Sequence, residues 1–171
     1  MIRIAGIDVG NDSVKVVVDG SQRPIIIPSI VSPGYDRHVL QEEDSPLKAL
    51  DVRVYSPKLK RNNQRYFVGL LAMEDQDNSE LEETDNKATS DQSLVVALTA
   101  LAYAALAGQT YPTTGAGIEE GEYILGTGLP GRTDVAFHQA FEERLTGEHE
   151  VTSLSTPELR GLTTTRAPLA I

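Results

Sequence analysis

At 171 residues the chain has room for one domain, or one domain with a lobe, and for a core that needs no covalent staple. Hydrophobic residues make up 40% and charged residues 23%, which excludes a wholly disordered chain and a coiled coil; with no cysteine, disulfides, thiol catalysis and cysteine-ligated zinc are excluded too. A net charge of −10 and a pI near 4.7 oppose direct electrostatic binding to DNA, RNA or anionic lipid and suit basic partners.

Asp8 interrupts the N-terminal apolar run, unlike a signal peptide, and the longest apolar run, Leu94–Ala107, is too short to span a bilayer. The expectation is a cytoplasmic protein without a membrane segment. Apolar alternation predicts a strand over 2–9, a turn at Gly10–Ser13, a second strand over 14–18, a hairpin turn at Asp19-Gly20 and a third strand over Pro24–Val31. Residues 33–62 are polar and mixed, with short strands expected at Val52–Tyr55 and Tyr66–Gly69. From Glu74 to Asp91 the chain is acidic and reads as a solvated loop. Asp91 reads as the N-cap of a helix over Ser93–Ala107, ended by Gly108 and apolar nearly all round, hence buried on more than one face.

After a glycine-rich loop at 109–121, residues 122–126 read as a buried strand broken by Thr127–Gly131. Thr133 or Asp134 can cap a helix running to about Leu145, with Ala136, Phe137, Ala140, Phe141 and Leu145 on one face and Gly147 as its stop. Residues 149–154 and 160–171 read as strand. The chain closes on apolar RAPLAI, which suggests a fragment or a truncated gene product.

The chemistry lies in Ile7-Asp8-Val9-Gly10-Asn11-Asp12-Ser13-Val14-Lys15. An Asp at the end of a buried strand points a carboxylate toward the turn. Gly10 lets the backbone approach a ligand closely. The amides of Asn11, Asp12 and Ser13 can converge on phosphate oxygens, and Lys15 on the returning strand adds a point charge. Asp8 suits Mg²⁺ held through water, because Mg²⁺ dehydrates reluctantly. The strand–loop–helix P-loop with its Gly-Lys-Ser/Thr is absent. The same nine residues also suit an ordinary β-hairpin with a solvated Asp and Lys, and residue types alone do not separate the two.

Four blocks then resemble the actin-like ATPases, the superfamily that includes heat-shock chaperones and sugar kinases, and within it the plasmid-segregation proteins of the ParM/StbA type. They are IAGIDVGNDSVKVVV at 4–18, IIIPSIVSPG at 25–34, RYFVGLLA at 65–72 and YILGTGLPGRTDVAFHQAFEERLTGEHEV at 123–151, in the family's order. The resemblance implies an α/β, RNase H-like mixed sheet flanked by helices. Its core would span 1–34 and 91–171, with a small variable subdomain inserted at about 35–90. It implies that Asp8, Gly10, Asn11, Asp12, Ser13 and Lys15 form the first phosphate loop for ATP or GTP with Mg²⁺, Asp8 holding the metal through water. It places Thr127 and Gly128 near the interdomain cleft, although a strand-to-helix turn with packing roles explains the TGLP segment better.

The chain lacks the family's second Asp-Gly phosphate hairpin, its adenosine pocket and the segment that orients the attacking water, whose catalytic residues are expected beyond Ile171. The second lobe is therefore expected to be absent. Little nucleotide affinity and no measurable hydrolysis are expected of this chain alone. The full-length protein is expected to form ATP-dependent filaments of itself for plasmid or DNA segregation, with a DNA-binding adaptor as partner and no direct nucleic-acid contact. Two rivals are a lobe of a kinase or exopolyphosphatase-like phosphotransferase and a non-catalytic truncated interaction module. Asn11-Asp12 after the loop's Asp-x-Gly and the TGLP block disfavour a sugar kinase.

The remaining charged clusters read as surface. The acidic run Asp75–Glu83 suits a solvated loop better than a docking tail, and Lys58-Leu59-Lys60-Arg61 suits a solvated surface better than a DNA contact. His38, His138 and His149 lack metal-ligand spacing, and Glu142 and Glu143 fit a helical surface better than a carboxylate pair. Lys87 sits in a polar loop that other members of the superfamily use near the nucleotide, but a solvated loop suits it better than that role.

Overall fold

The computed structural model describes residues 2–21, 23–36, 45–75, 89–106, 121–128, 135–154 and 166–167. Alternation along β1 (Ile2–Val9) turns Ala5 and Ile7 inward, and along β2 (Ser13–Val18) it turns Val14, Val16 and Val18 inward. The two strands form an antiparallel hairpin with Asp8 opposite Lys15 and Ile7 opposite Val16. β3 (Ile25–Pro28) extends the hairpin on one side, and β7 (Glu122–Thr127) runs parallel to β1 on the other. With β8 (Gly147–Glu148) and β10 (Arg166–Ala167) they make a mixed six-stranded sheet in the order β3-β2-β1-β7-β10-β8.

A second, four-stranded antiparallel sheet has the order β4-β6-β5-β9. Its strands are β4 (Val31–Pro33), β5 (Leu50–Tyr55), β6 (Gln64–Val68) and β9 (Glu150–Ser153). It therefore draws on residues from both ends of the described chain. A 3₁₀ turn, Pro46–Lys48, precedes β5.

The core lies around α2 (Asp91–Leu106), which packs against β1, β2 and β3 of the first sheet and against β4, β5 and β9 of the second. This explains its nearly uniform apolar sequence. Every residue from Leu94 to Leu101 is buried, and the one hydroxyl among them, Thr99 Oγ1, donates to the Val95 carbonyl at 2.8 Å. On the other face of the six-stranded sheet, Ile2, Ile4, Val17 and Ile26 are exposed.

Several expectations are corrected. The third strand does not run from Pro24 to Val31: it breaks after Pro28, a residue with no N–H to continue a ladder. There the Ser29 N–H donates to the Asp12 carbonyl and the Ile30 N–H to the Pro28 carbonyl, so the chain leaves one sheet for the other. Ser90, not Asp91, caps α2: its Oγ accepts from the Ser93 N–H at 3.3 Å and its carbonyl from the Leu94 N–H. Asp91 instead accepts from the Lys60 N–H and from Arg144 Nη2.

On α3 (Val135–Leu145), Phe141 and Leu145 are buried and Phe137 and Ala140 pack against the core, but Ala136 is exposed. A five-residue helix, α1 (Leu70–Glu74), was not expected; Gly69 precedes it with φ +65°, where a Cβ would also lie 2.8 Å from Ile27 Cγ2. Leu59, inside the basic run, is buried, while Lys58, Lys60 and Arg61 are exposed.

The acidic run from Gln76 onward, Lys87, His38, the loop from 109 to 120, the segment from Leu129 to Asp134 and most of 160–171 lie outside the described residues. Among the described residues no helix is long and apolar enough to cross a membrane.

Candidate functional site

β1 and β7 end side by side. Their parallel register pairs Ile7 with Thr127, so the carboxyl ends of both strands, Asp8 on one and Thr127-Gly128 on the other, share one edge of the sheet. Open α/β sheets bind ligands at such strand ends.

The tight turn between β1 and β2 is closed by the Gly10 N–H donating to the Ser13 carbonyl at 2.9 Å. A Cβ at position 10 would stand 2.6 Å from that carbonyl oxygen. The turn itself thus demands glycine, whether or not a ligand approaches. Asn11 and Asp12 at its tip are exposed, and Ser13 is half-buried. Among the described residues, the Asn11 and Asp12 N–H groups donate to no other backbone group. Two unengaged amides on a rigid turn form a ready anion cradle.

Beside the turn, Lys15 Nζ donates to Asp8 Oδ2 at 3.3 Å, with the two side chains 52% and 59% exposed. An exposed pair of this kind contributes about 0–1 kcal/mol, so either partner can leave it for a phosphate or a cation at small cost. Among the described residues no group of three or more His, Asp or Glu is placed to hold a metal by itself. A single exposed carboxylate fits Mg²⁺, which keeps most of its water and shares its remaining positions with phosphate oxygens.

Thr127 and Gly128 stand at the carboxyl end of β7, beside that of β1. Among the described residues the buried Thr127 Oγ1 has no hydrogen-bond partner, and space is open beside Gly128. The structure therefore brings Asp8, Gly10, Asn11, Asp12, Ser13, Lys15, Thr127 and Gly128 to one edge.

Reading the sequence missed Ser29 and Gln92. Ser29 Oγ donates to the Gly10 carbonyl at 3.0 Å, and Gln92 Nε2 donates to the Ser29 carbonyl at 2.6 Å. A Ser just past a Pro-ended strand was the only available signal, and its partners are far away in sequence.

His149 is buried against the second sheet, where its Nδ1 lies 2.8 Å from Ser56 Oγ and its Nε2 lies 3.1 Å from the Leu145 carbonyl. The Leu145 carbonyl can only accept, so Nε2 carries the proton and Nδ1 accepts from the Ser56 hydroxyl. Burial holds the His149 pKa below the ordinary histidine value.

The comparisons with known proteins bear on the fold. A family model described as the N-terminal domain of actin-like proteins matches residues 6–166. A solved structure of Bacillus thuringiensis ParM with AMPPNP is 22% identical with a TM-score of 0.73; the match covers 99% of this chain and 44% of that one. Bacillus thuringiensis ParM with ATP is 23% identical at a TM-score of 0.69, covering 97% of this chain and 44% of that one. The actin-like protein Alp7A is 18% identical at 0.67, covering 99% of this chain and 44% of that one. The chain thus spans less than half the length of these structures. No curated protein matches it. The mixed sheet, the antiparallel sheet and their helices are the α/β, RNase H-like arrangement of the actin-like fold, and with its N-terminal model matching nearly the whole sequence, the chain belongs to the actin-like proteins as their N-terminal domain.

Proposed function

We propose that this chain is the nucleotide-phosphate-binding lobe of an actin-like ATPase, with its core in 1–34 and 91–171 and a variable subdomain inserted at about 35–90. The observation that carries the proposal is the β1–β2 turn. It is closed by Gly10 and Ser13, leaves the Asn11 and Asp12 amides unengaged, and is flanked by a loosely paired Asp8 and Lys15. That two of the similar solved structures contain AMPPNP or ATP supports a nucleoside triphosphate as the ligand.

The Asn11, Asp12 and Ser13 amides donate to phosphate oxygens. Lys15 turns from Asp8 to the same phosphates, which releases the Asp8 carboxylate to hold Mg²⁺ through water. When bound, Mg²⁺ supplies charge neutralisation for the phosphates. Thr127 and Gly128 line the neighbouring wall. Catalysis in such a site depends on groups placed on both sides of the nucleotide, and these residues supply one side. Alone, the chain binds ATP or GTP weakly and does not hydrolyse it at a measurable rate. The whole protein forms ATP-dependent filaments with copies of itself and serves plasmid or DNA segregation through a DNA-binding adaptor in the cytoplasm.

Isothermal titration with Mg-ATP tests the reading on this chain and on any longer product of its reading frame. Micromolar binding by the longer product, weakened about tenfold or more by Lys15→Ala, is the expected result. A longer product that ignores Mg-ATP would leave the turn as an ordinary hairpin.

A further inference from the structure

We infer that Ser29, held by Gln92, is a positioning residue that aims the amides of the phosphate turn; the inference rests on the phosphate reading of that turn. Ser29 lies where the chain leaves β3 for β4, and it grips the turn twice. Its hydroxyl donates to the Gly10 carbonyl at 3.0 Å, and its N–H donates to the Asp12 carbonyl at 3.0 Å. A trans peptide is planar, with its C=O and N–H pointing in opposite directions, and no peptide among the described residues is cis. Drawing the Gly10 oxygen toward Ser29 therefore aims the Asn11 N–H away from it. Drawing the Asp12 oxygen the same way aims the Ser13 N–H away from it as well. One residue thus sets the orientation of two of the three amides expected to meet phosphate.

Ser29 is itself anchored. Gln92 Nε2, from the first turn of the buried helix α2, donates to the Ser29 carbonyl at 2.6 Å. The next residue ties the same crossing to the second sheet, because the Ile30 carbonyl accepts from the Gly69 N–H at 2.9 Å. The turn is therefore oriented from the core rather than by its own exposed residues. Preorganised donors matter here because a site that must reorient its amides on binding loses affinity for the charge it meets.

Amide-resolved NMR on the 171-residue chain tests this with Ser29→Ala, Ser29→Thr and Gln92→Ala. Ser29→Ala should speed hydrogen exchange of the Gly10 amide about tenfold and move the Asn11 and Ser13 resonances. Exchange at Val52 and Val54 in the second sheet should stay unchanged, and Gln92→Ala should give a smaller effect of the same pattern. Titrated with millimolar Mg-ATP, the resonances of Asn11, Asp12 and Ser13 should respond about fivefold more weakly in Ser29→Ala than in the unsubstituted chain. Ser29→Thr, which keeps the hydroxyl, should restore the response.

An unchanged Gly10 exchange rate with Mg-ATP still bound overturns the positioning role and leaves the phosphate reading standing. If the turn ignores Mg-ATP both in the unsubstituted chain and in a longer product of its reading frame, the phosphate reading itself fails. A change in exchange would then make Ser29 a structural brace, which also overturns the inference.

Discussion

Two acid–base pairs in this molecule use the same chemistry to opposite ends. Asp51 and Arg65, on neighbouring strands of the second sheet, meet through two bonds, Nε to Oδ1 at 2.8 Å and Nη2 to Oδ2 at 2.7 Å. The Asp51 side chain is only 7% exposed and that of Arg65 is 24% exposed; Asp36 also pairs with Arg65. The hydrogen bond to Asp51 raises the Arg65 pKa above its ordinary value. Asp8 and Lys15, also cross-strand partners, meet through one long contact in solvent. The first pair has satisfied itself and is part of the architecture. The second has kept its hydrogen-bonding capacity and is available to a ligand. Burial and the number of bonds, rather than residue type, separate an ion pair fixed in the architecture from one that opens at small cost.

The sharpest way to break the contrast is to remove one partner from each pair. Asp51→Ala removes two of the bonds that hold the Arg65 guanidinium and leaves it the exposed Asp36 carboxylate; it should cost about 2–3 kcal/mol of stability, read by urea denaturation. Gly10→Ala should cost about 1–3 kcal/mol, because the new Cβ forces the Ser13 carbonyl to move; it should also disturb the turn resonances well beyond the site of substitution.

His149 extends the contrast to pH. Its folded pKa lies below the unfolded value of about 6.5, so above that pH its neutral ring contributes fully. As pH falls below about 6.5 the unfolded state takes up the proton first. Stability therefore declines until the depressed folded pKa is passed, and then levels. His149→Gln should remove that part of the decline when denaturation midpoints are compared across pH. The smallest effect is expected at the exposed pair: Asp8→Ala or Lys15→Ala should change stability by less than about 1 kcal/mol and should be insensitive to burial arguments altogether.

Local patterns made the first part of the fold legible. The β1–β2 hairpin followed from alternating valines around Gly-Asn-Asp-Ser, and α2 from a run with no polar face. The candidate site was legible to the same extent, because a turn's functional groups are close in sequence. Pairings between distant segments were not legible. Nothing in Val31-Ser32-Pro33 announces that it pairs with Tyr66–Val68, nor in Glu150–Ser153 that it completes the sheet of Val52–Tyr55. For the same reason Pro24–Val31 looked like one strand, when its halves serve two sheets. Ser90 was passed over as a cap because Asp91 offered an equally good oxygen, which the structure uses on Lys60 and Arg144. The sequence shows of His149 only that it lacks metal-ligand spacing, because its partners, Ser56 and the Leu145 carbonyl, meet it only after both sheets have closed on α2.

The interleaving of the two sheets bears on how the chain is made. β1 waits for β7 before it has a parallel neighbour, and β5 waits for β9 before its far edge is covered. On a ribosome adding about 5–20 residues per second, β1 emerges on the order of ten seconds before the second sheet is complete. Throughout that interval the hairpin presents an unpaired strand edge, with Ile2, Ile4, Val17 and Ile26 exposed on one face. The nascent N-terminal hairpin is therefore the stretch where a holding chaperone has the most to shield.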